Sequence, residues 1–120
     1  MADLGKLLEE EFNVIKNRKN NIREGSYTCY LFKKGIDKIL KKIGEETSEV
    51  IIAVKNDDKK EIVGEICDVI FHMEVMMAER DISWQDIAEE ISLRREKENM
   101  NVEKEAKRKA ENRTDECNID

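Results

Sequence analysis

The chain is expected to fold as an all-α bundle of about four to five helices. Three observations point there. Proline is absent and only five of 120 residues are glycine. Apolar residues recur at three- and four-residue intervals through most of the chain, which is the period of a buried helical stripe. No stretch shows the strict alternation of a half-buried strand, and no internal repeat is visible.

The first helix is placed at about Asp3 to Lys19, where Leu4, Leu7, Leu8, Phe12 and Ile15 share a stripe and Asp3 suits the N-cap. Asn20 to Gly35 is less regular. Its polar heart, Glu24-Gly25-Ser26-Tyr27-Thr28, offers a permissive glycine followed by hydroxyls and amides in a row. It is either a phosphate-lining loop or a plain connection.

From Leu31 the helical pattern resumes and carries Lys38 and Lys42, one turn apart, towards Glu45, Glu46 and Glu49. Ile36, Ile39, Leu40, Ile43, Val50, Ile51 and Val54 form its apolar side, and the acids fall beside that stripe. Ile52 projects from the opposite side and suggests a second covered surface. Asn56 and Asp58 read as the C-cap of this helix and the N-cap of the next, so the two should run antiparallel as neighbours.

That next helix, from about Lys59, is apolar nearly all round except for a strip of Glu61, Glu65, Asp68, His72 and Glu79. Such a helix should be buried, with its acidic strip at an internal seam. Ser83 with Asp86 marks the cap of a further helix, whose apolar side is Trp84, Ile87, Ile91 and Leu93. Residues 1–95 are taken as one domain. Residues 96–120 are taken as a charged helical extension and tail, mobile from Arg113 to Asp120.

Glu46-x-x-Glu49 and Glu65-x-x-Asp68 each put two carboxylates on one helix face. Like charges ~5 Å apart at an effective dielectric of ~20 repel by roughly 3 kcal/mol, against about 0.2–0.5 kcal/mol for solvated i,i+4 pairs. A cation relieves that cost. An all-oxygen donor set suits a hard ion such as Mg²⁺ or Mn²⁺, and Mg²⁺ is commonly shared with substrate phosphates. The alternative is two amphipathic helices with acidic edges and salt bridges to Lys38, Lys42 and Lys55. His72 is a ligand, a partner of a ligand or a buried polar group. Repeated Glu-x-x-His pairs, the mark of di-iron bundles, are absent from the sequence.

A net charge of −6 with the two signs interspersed leaves no electrostatic footprint for nucleic acid. The sequence has no apolar run of membrane-spanning length and no secretory h-region at Met1. Cys29, Cys67 and Cys117 are odd in number and lack ligand spacing, so reduced thiols in the cytoplasm are expected.

With Arg18-Lys19, the Glu24-Gly25-Ser26-Tyr27-Thr28 loop, Leu31-Phe32, the lysine-rich run to Glu46 and Glu65-Ile66-Cys67-Asp68, the chain resembles the phosphoribosyl-ATP pyrophosphatases. These are MazG-like all-α nucleotide pyrophosphatases, and the likeness spans about Leu4 to Arg95. It implies hydrolysis of phosphoribosyl-ATP to phosphoribosyl-AMP and pyrophosphate, the second step of histidine biosynthesis, usually by a dimer. It implies Glu46, Glu49, Glu65 and Asp68 as metal ligands, with Glu45, Glu46 and Glu49 catalytic. Lys38, Lys42 and residues Glu24, Gly25, Ser26, Tyr27 and Thr28 fall on the substrate side. Two positions depart from the usual pattern: Arg23 where a proline often precedes the loop, and Arg94-Arg95-Glu96 where many members have Arg-His. The competing readings are a MazG-like housecleaning nucleoside triphosphate pyrophosphatase and a helical module that binds a protein partner.

Overall fold

The structure is a computed structural model that describes residues 1–117, with side chains as far as Arg113. Five helices follow one another: α1 Leu4–Asn20, α2 Tyr27–Lys34, α3 Ile36–Lys55, α4 Lys59–Glu79 and α5 Trp84–Cys117. No strand occurs among the described residues. Met1–Ser83 is one compact unit, and a second begins at Trp84.

Local signals account for the ends of α1 and α4. The Asp3 carboxylate accepts from the Lys6 amide at 3.2 Å and opens α1. The Asp58 carboxylate accepts from the amides of Lys60 and Glu61 at 3.0 and 3.3 Å and opens α4. Each cap satisfies amides that have no partner inside their own helix. Asn56 closes α3, and Asp57 then takes a left-handed conformation at φ 54°. The chain reverses there, and α3 and α4 form the most extensive helix pair. Helix α1 packs on α4 and α2, and α2 also meets α3 and α4.

Helix α2 begins inside the segment expected to be a loop. The Ser26 hydroxyl accepts from the Cys29 amide at 3.2 Å, so Tyr27 and Thr28 belong to a first helical turn. Only Gly25, at φ 81°, keeps a loop conformation that side chains avoid. Gly35 separates α2 from α3 at φ 91°, ψ −176°, a region essentially closed to other residues. A Cβ there would meet nothing within 4 Å, so strain rather than a clash opposes substitution. Gly35→Ala should cost on the order of 1–3 kcal/mol, read as a lower urea midpoint with an unchanged slope.

The core of the first unit is Phe12, Ile15, Leu31, Ile39, Ala53, Val75, Met77 and Ala78, all nearly inaccessible. Burial on α4 is uneven. Its C-terminal half is buried, whereas Val63 and Ile66 in the first half stay about half exposed, as do Leu40, Ile51, Ile52 and Val54 of α3. The expectation of a helix buried all round is therefore met for only part of α4 within one chain.

The second unit is one 34-residue helix. Arg94 pairs with Glu90 at 3.0 Å and Arg108 with Glu105 at 2.6 Å, one turn apart in each case. The tail expected to be mobile is helical as far as Cys117, and residues 118–120 lie outside the described ones.

Candidate metal and phosphate site

The turn at 56–58 brings α3 and α4 side by side, so the two acidic motifs approach. Carboxylate oxygens of Glu46, Glu65 and Asp68 lie within 4.8 Å of one another. Glu49 is not part of that group, although its charge acts on Glu65. Half-burial pushes the Glu65 carboxyl above its ordinary range, and the charges of Asp68, Glu49 and Glu46 push it further. The fold thus places a carboxylate where a proton or a cation is favoured. Oxygen-only donors at this spacing suit a hard divalent ion that keeps some water and shares phosphate oxygens.

Lys42 stands beside the cluster, 3.2 Å from Glu45 and 3.6 Å from Glu46. Its ammonium is held above the ordinary lysine value first by the hydrogen bond to Glu45. It therefore stays charged where phosphate would arrive. Lys38, one turn earlier and half-buried, makes no ion pair among the described residues. The hydroxyls of Thr47 and Ser48 are spent on their own helix, donating to the carbonyls of Ile43 and Gly44 at 2.7 and 3.0 Å.

His72 is 5% exposed and both ring nitrogens are engaged. Nδ1–H donates to the Asp68 carbonyl at 2.7 Å. A carbonyl can only accept, so the proton is on Nδ1, and in the neutral ring Nε2 accepts from the Tyr27 hydroxyl at 2.9 Å. Of the three roles open to it, His72 takes that of a buried polar brace, tying α2 to the turn of α4 that carries Asp68. Phe71 and Tyr27 pack edge-on against it, with ring centroids 5.1 and 5.7 Å away. Burial raises the Tyr27 phenol pKa, Lys42 opposes that shift, and Glu46 adds to it; the hydroxyl thus feels the acidic site directly. Tyr27→Phe leaves a buried imidazole nitrogen without its donor and should cost about 1 kcal/mol, measured by denaturant unfolding.

On the other side of Tyr27, a cleft of about 830 Å³ opens between the end of α1 and α2, and Glu24, Gly25 and Ser26 form part of its rim. Thr28 is half-buried in the first turn of α2 and does not line it. Arg18, Arg23 and Cys29 do line it, and none of the three is among the sequence-derived site residues. Arg18 was visible only as part of a motif. The Cys29 sulfur accepts from the Arg23 amide at 3.4 Å, and this contact leads the lowering of its thiol pKa.

Three carboxylates gathered beside a lysine in an all-helical fold suit a phosphoanhydride hydrolase of the all-α class. The chain belongs to the phosphoribosyl-ATP pyrophosphohydrolase family, whose model matches residues 8–95. It is 53% identical over 106 residues to the phosphoribosyl-ATP pyrophosphatase of Clostridium novyi, covering 88% of this chain and 94% of that protein. It is 56% identical over 95 residues to the enzyme of the same name from Clostridium acetobutylicum, covering 79% and 86%. The bifunctional histidine biosynthesis protein HisIE of Thermoanaerobacter pseudethanolicus matches at 57% over 89 residues, which is 74% of this chain and 41% of that longer protein.

Proposed function

We propose that this chain hydrolyses phosphoribosyl-ATP to phosphoribosyl-AMP and pyrophosphate in histidine biosynthesis, with Mg²⁺ or Mn²⁺ held by Glu46, Glu65 and Asp68. The observation that carries this is the convergence of those three carboxylates beside Lys42. Family membership supplies the substrate. Water adds across the α–β phosphoanhydride: a phosphorus–oxygen bond forms to water, the bridging bond breaks, and pyrophosphate leaves. A divalent ion bound there would neutralise phosphate charge and lower the pKa of the attacking water. Glu45 accepts the water's proton, which frees Lys42 to face the leaving pyrophosphate, and Lys38 adds a second positive charge one turn away. Glu49, whose charge acts on Glu65, would add a further oxygen ligand to that ion.

The working unit is a homodimer. Leu40, Ile51 and Val54 on α3 and Val63 and Ile66 on α4 remain exposed in a single chain, and a second copy would cover such side chains. Cys29 and Cys67 are free thiols, which suits the cytoplasm. None of the described helices is long and apolar enough to cross a membrane.

The test offers phosphoribosyl-ATP, ATP, dCTP and dUTP at equal concentration with Mg²⁺ and measures pyrophosphate. Selective release from phosphoribosyl-ATP is expected. Release from the ordinary nucleotides instead would move the chain to the housecleaning class, and no release from any would overturn the enzymatic reading. Light scattering on the same sample should give twice the chain mass.

A further inference from the structure

We infer that the cleft between the end of α1 and α2 is a subsite for a ribose phosphate monoester, selected by Arg18, Arg23 and Lys33. This rests on the hydrolase reading above, because it assigns to the cleft the end of the substrate that ATP lacks.

The charge of the cleft is the first ground. In a chain of net charge −6, four cations line it, Arg18, Lys19, Arg23 and Lys33, against one acid, Glu24. Lys19 is committed, because its ammonium donates to the Ala78 carbonyl at 3.1 Å. Arg18, Arg23 and Lys33 make no ion pair among the described residues, and the one side-chain bond Arg18 makes, from Nη1 to the Asn17 side-chain oxygen at 3.2 Å, is to a neutral group. Cations gathered round a concavity without internal carboxylate partners leave their charge to an incoming anion. Guanidinium forks match a phosphate bidentately.

The second ground is the wall. Tyr27 and Tyr30 line the same cleft with ring centroids 6.1 Å apart and planes at 24°, an apolar aromatic wall against which the carbon face of a ribose can pack. The volume, about 830 Å³, lies within the ~300–1,000 Å³ typical of small-ligand sites.

The third ground is continuity. The Tyr27 ring borders the cleft, while its hydroxyl meets His72 and feels Lys42 and Glu46. Tyr27 thus links the cleft to the acidic cluster. The acidic end suits the triphosphate with its metal. The basic end suits a lone phosphate that side chains alone can neutralise.

Binding is measured for phosphoribosyl-AMP, AMP and ribose 5-phosphate, together with alkylation of the Cys29 peptide by iodoacetamide. Wild type should bind phosphoribosyl-AMP at least tenfold more tightly than AMP, and ribose 5-phosphate should slow alkylation of Cys29, which lines the cleft. In the double variant Arg18→Gln, Arg23→Gln the ratio should fall below threefold and the protection should vanish, while the Mg²⁺-induced melting shift persists. If that variant melts early, exposed Lys33→Gln replaces it, with at least a threefold loss in the ratio. A ratio unchanged in the folded variant, or no protection of Cys29 in wild type, overturns the subsite. Turnover separates the two readings. A wild type that does not hydrolyse phosphoribosyl-ATP defeats the enzymatic reading. A wild type that does, with variants whose KM for it is unaltered, defeats only the subsite.

Discussion

Glu65→Gln should lower pyrophosphate release by on the order of a thousandfold and at the same time make the metal-free protein melt later than wild type. The two effects share one cause. Glu65 sits where partial burial and the charges of Asp68, Glu49 and Glu46 oppose its ionisation. Without a cation the wild-type fold therefore bears a repulsion that the neutral amide removes. With a cation bound the same oxygen would serve as a ligand, and an amide would be a poorer one. Lewis-acid stabilisation of several kcal/mol, at about 1.4 kcal/mol per decade, sets the expected loss in rate. Thermal melts with and without Mg²⁺ and a pyrophosphate assay check both halves. Wild-type turnover at saturating Mg²⁺ would remove Glu65 from the site, and an earlier melt without metal would show that its charge is satisfied in some other way.

Leu31→Ala should destabilise the first unit by about 2–5 kcal/mol, a large share of a typical total of about 5–15 kcal/mol. Leu31 is fully inaccessible and is the one buried residue of the eight-residue α2. A helix that short has little stability of its own, so its place depends on packing. Loss of that anchor should also loosen the Tyr27–His72 hydrogen bond and raise the accessibility of Cys29. Urea unfolding and the rate of Cys29 alkylation are the two readouts. A cost below 1 kcal/mol with unchanged alkylation would mean that α2 is held by something other than its core leucine.

Helices α1, α3 and α4 and the turn between the last two were legible because their signals are local. Apolar residues at three- and four-residue spacing mark the stripes, and Asp3, Asn56 and Asp58 mark the ends. Helix α2 was hidden for an equally local reason. Its first turn, Ser26-Tyr27-Thr28, is rich in hydroxyls and is bracketed by Gly25 and Gly35, which reads as a loop until Ser26 is seen to cap the Cys29 amide. The paired acids were legible as faces of helices. That oxygens of Glu46, Glu65 and Asp68 come within 4.8 Å of one another was not, since it depends on how α3 and α4 are rotated against each other.

The sequence by itself determined that this chain is helical, where most helices begin and end, and that two acidic pairs and two lysines share neighbouring faces. Those properties follow from hydrogen bonds and side-chain periods spanning three or four residues. The tertiary structure decided which carboxylates converge, that both nitrogens of His72 are spent on Tyr27 and Asp68, and that Arg18, Arg23 and Cys29 line a common cleft. These relations join side chains from different helices or from the two ends of a loop. They are set by the turn at Asp57 and the break at Gly35, and by the packing that fixes each helix's rotation about its axis, which no three- or four-residue period encodes.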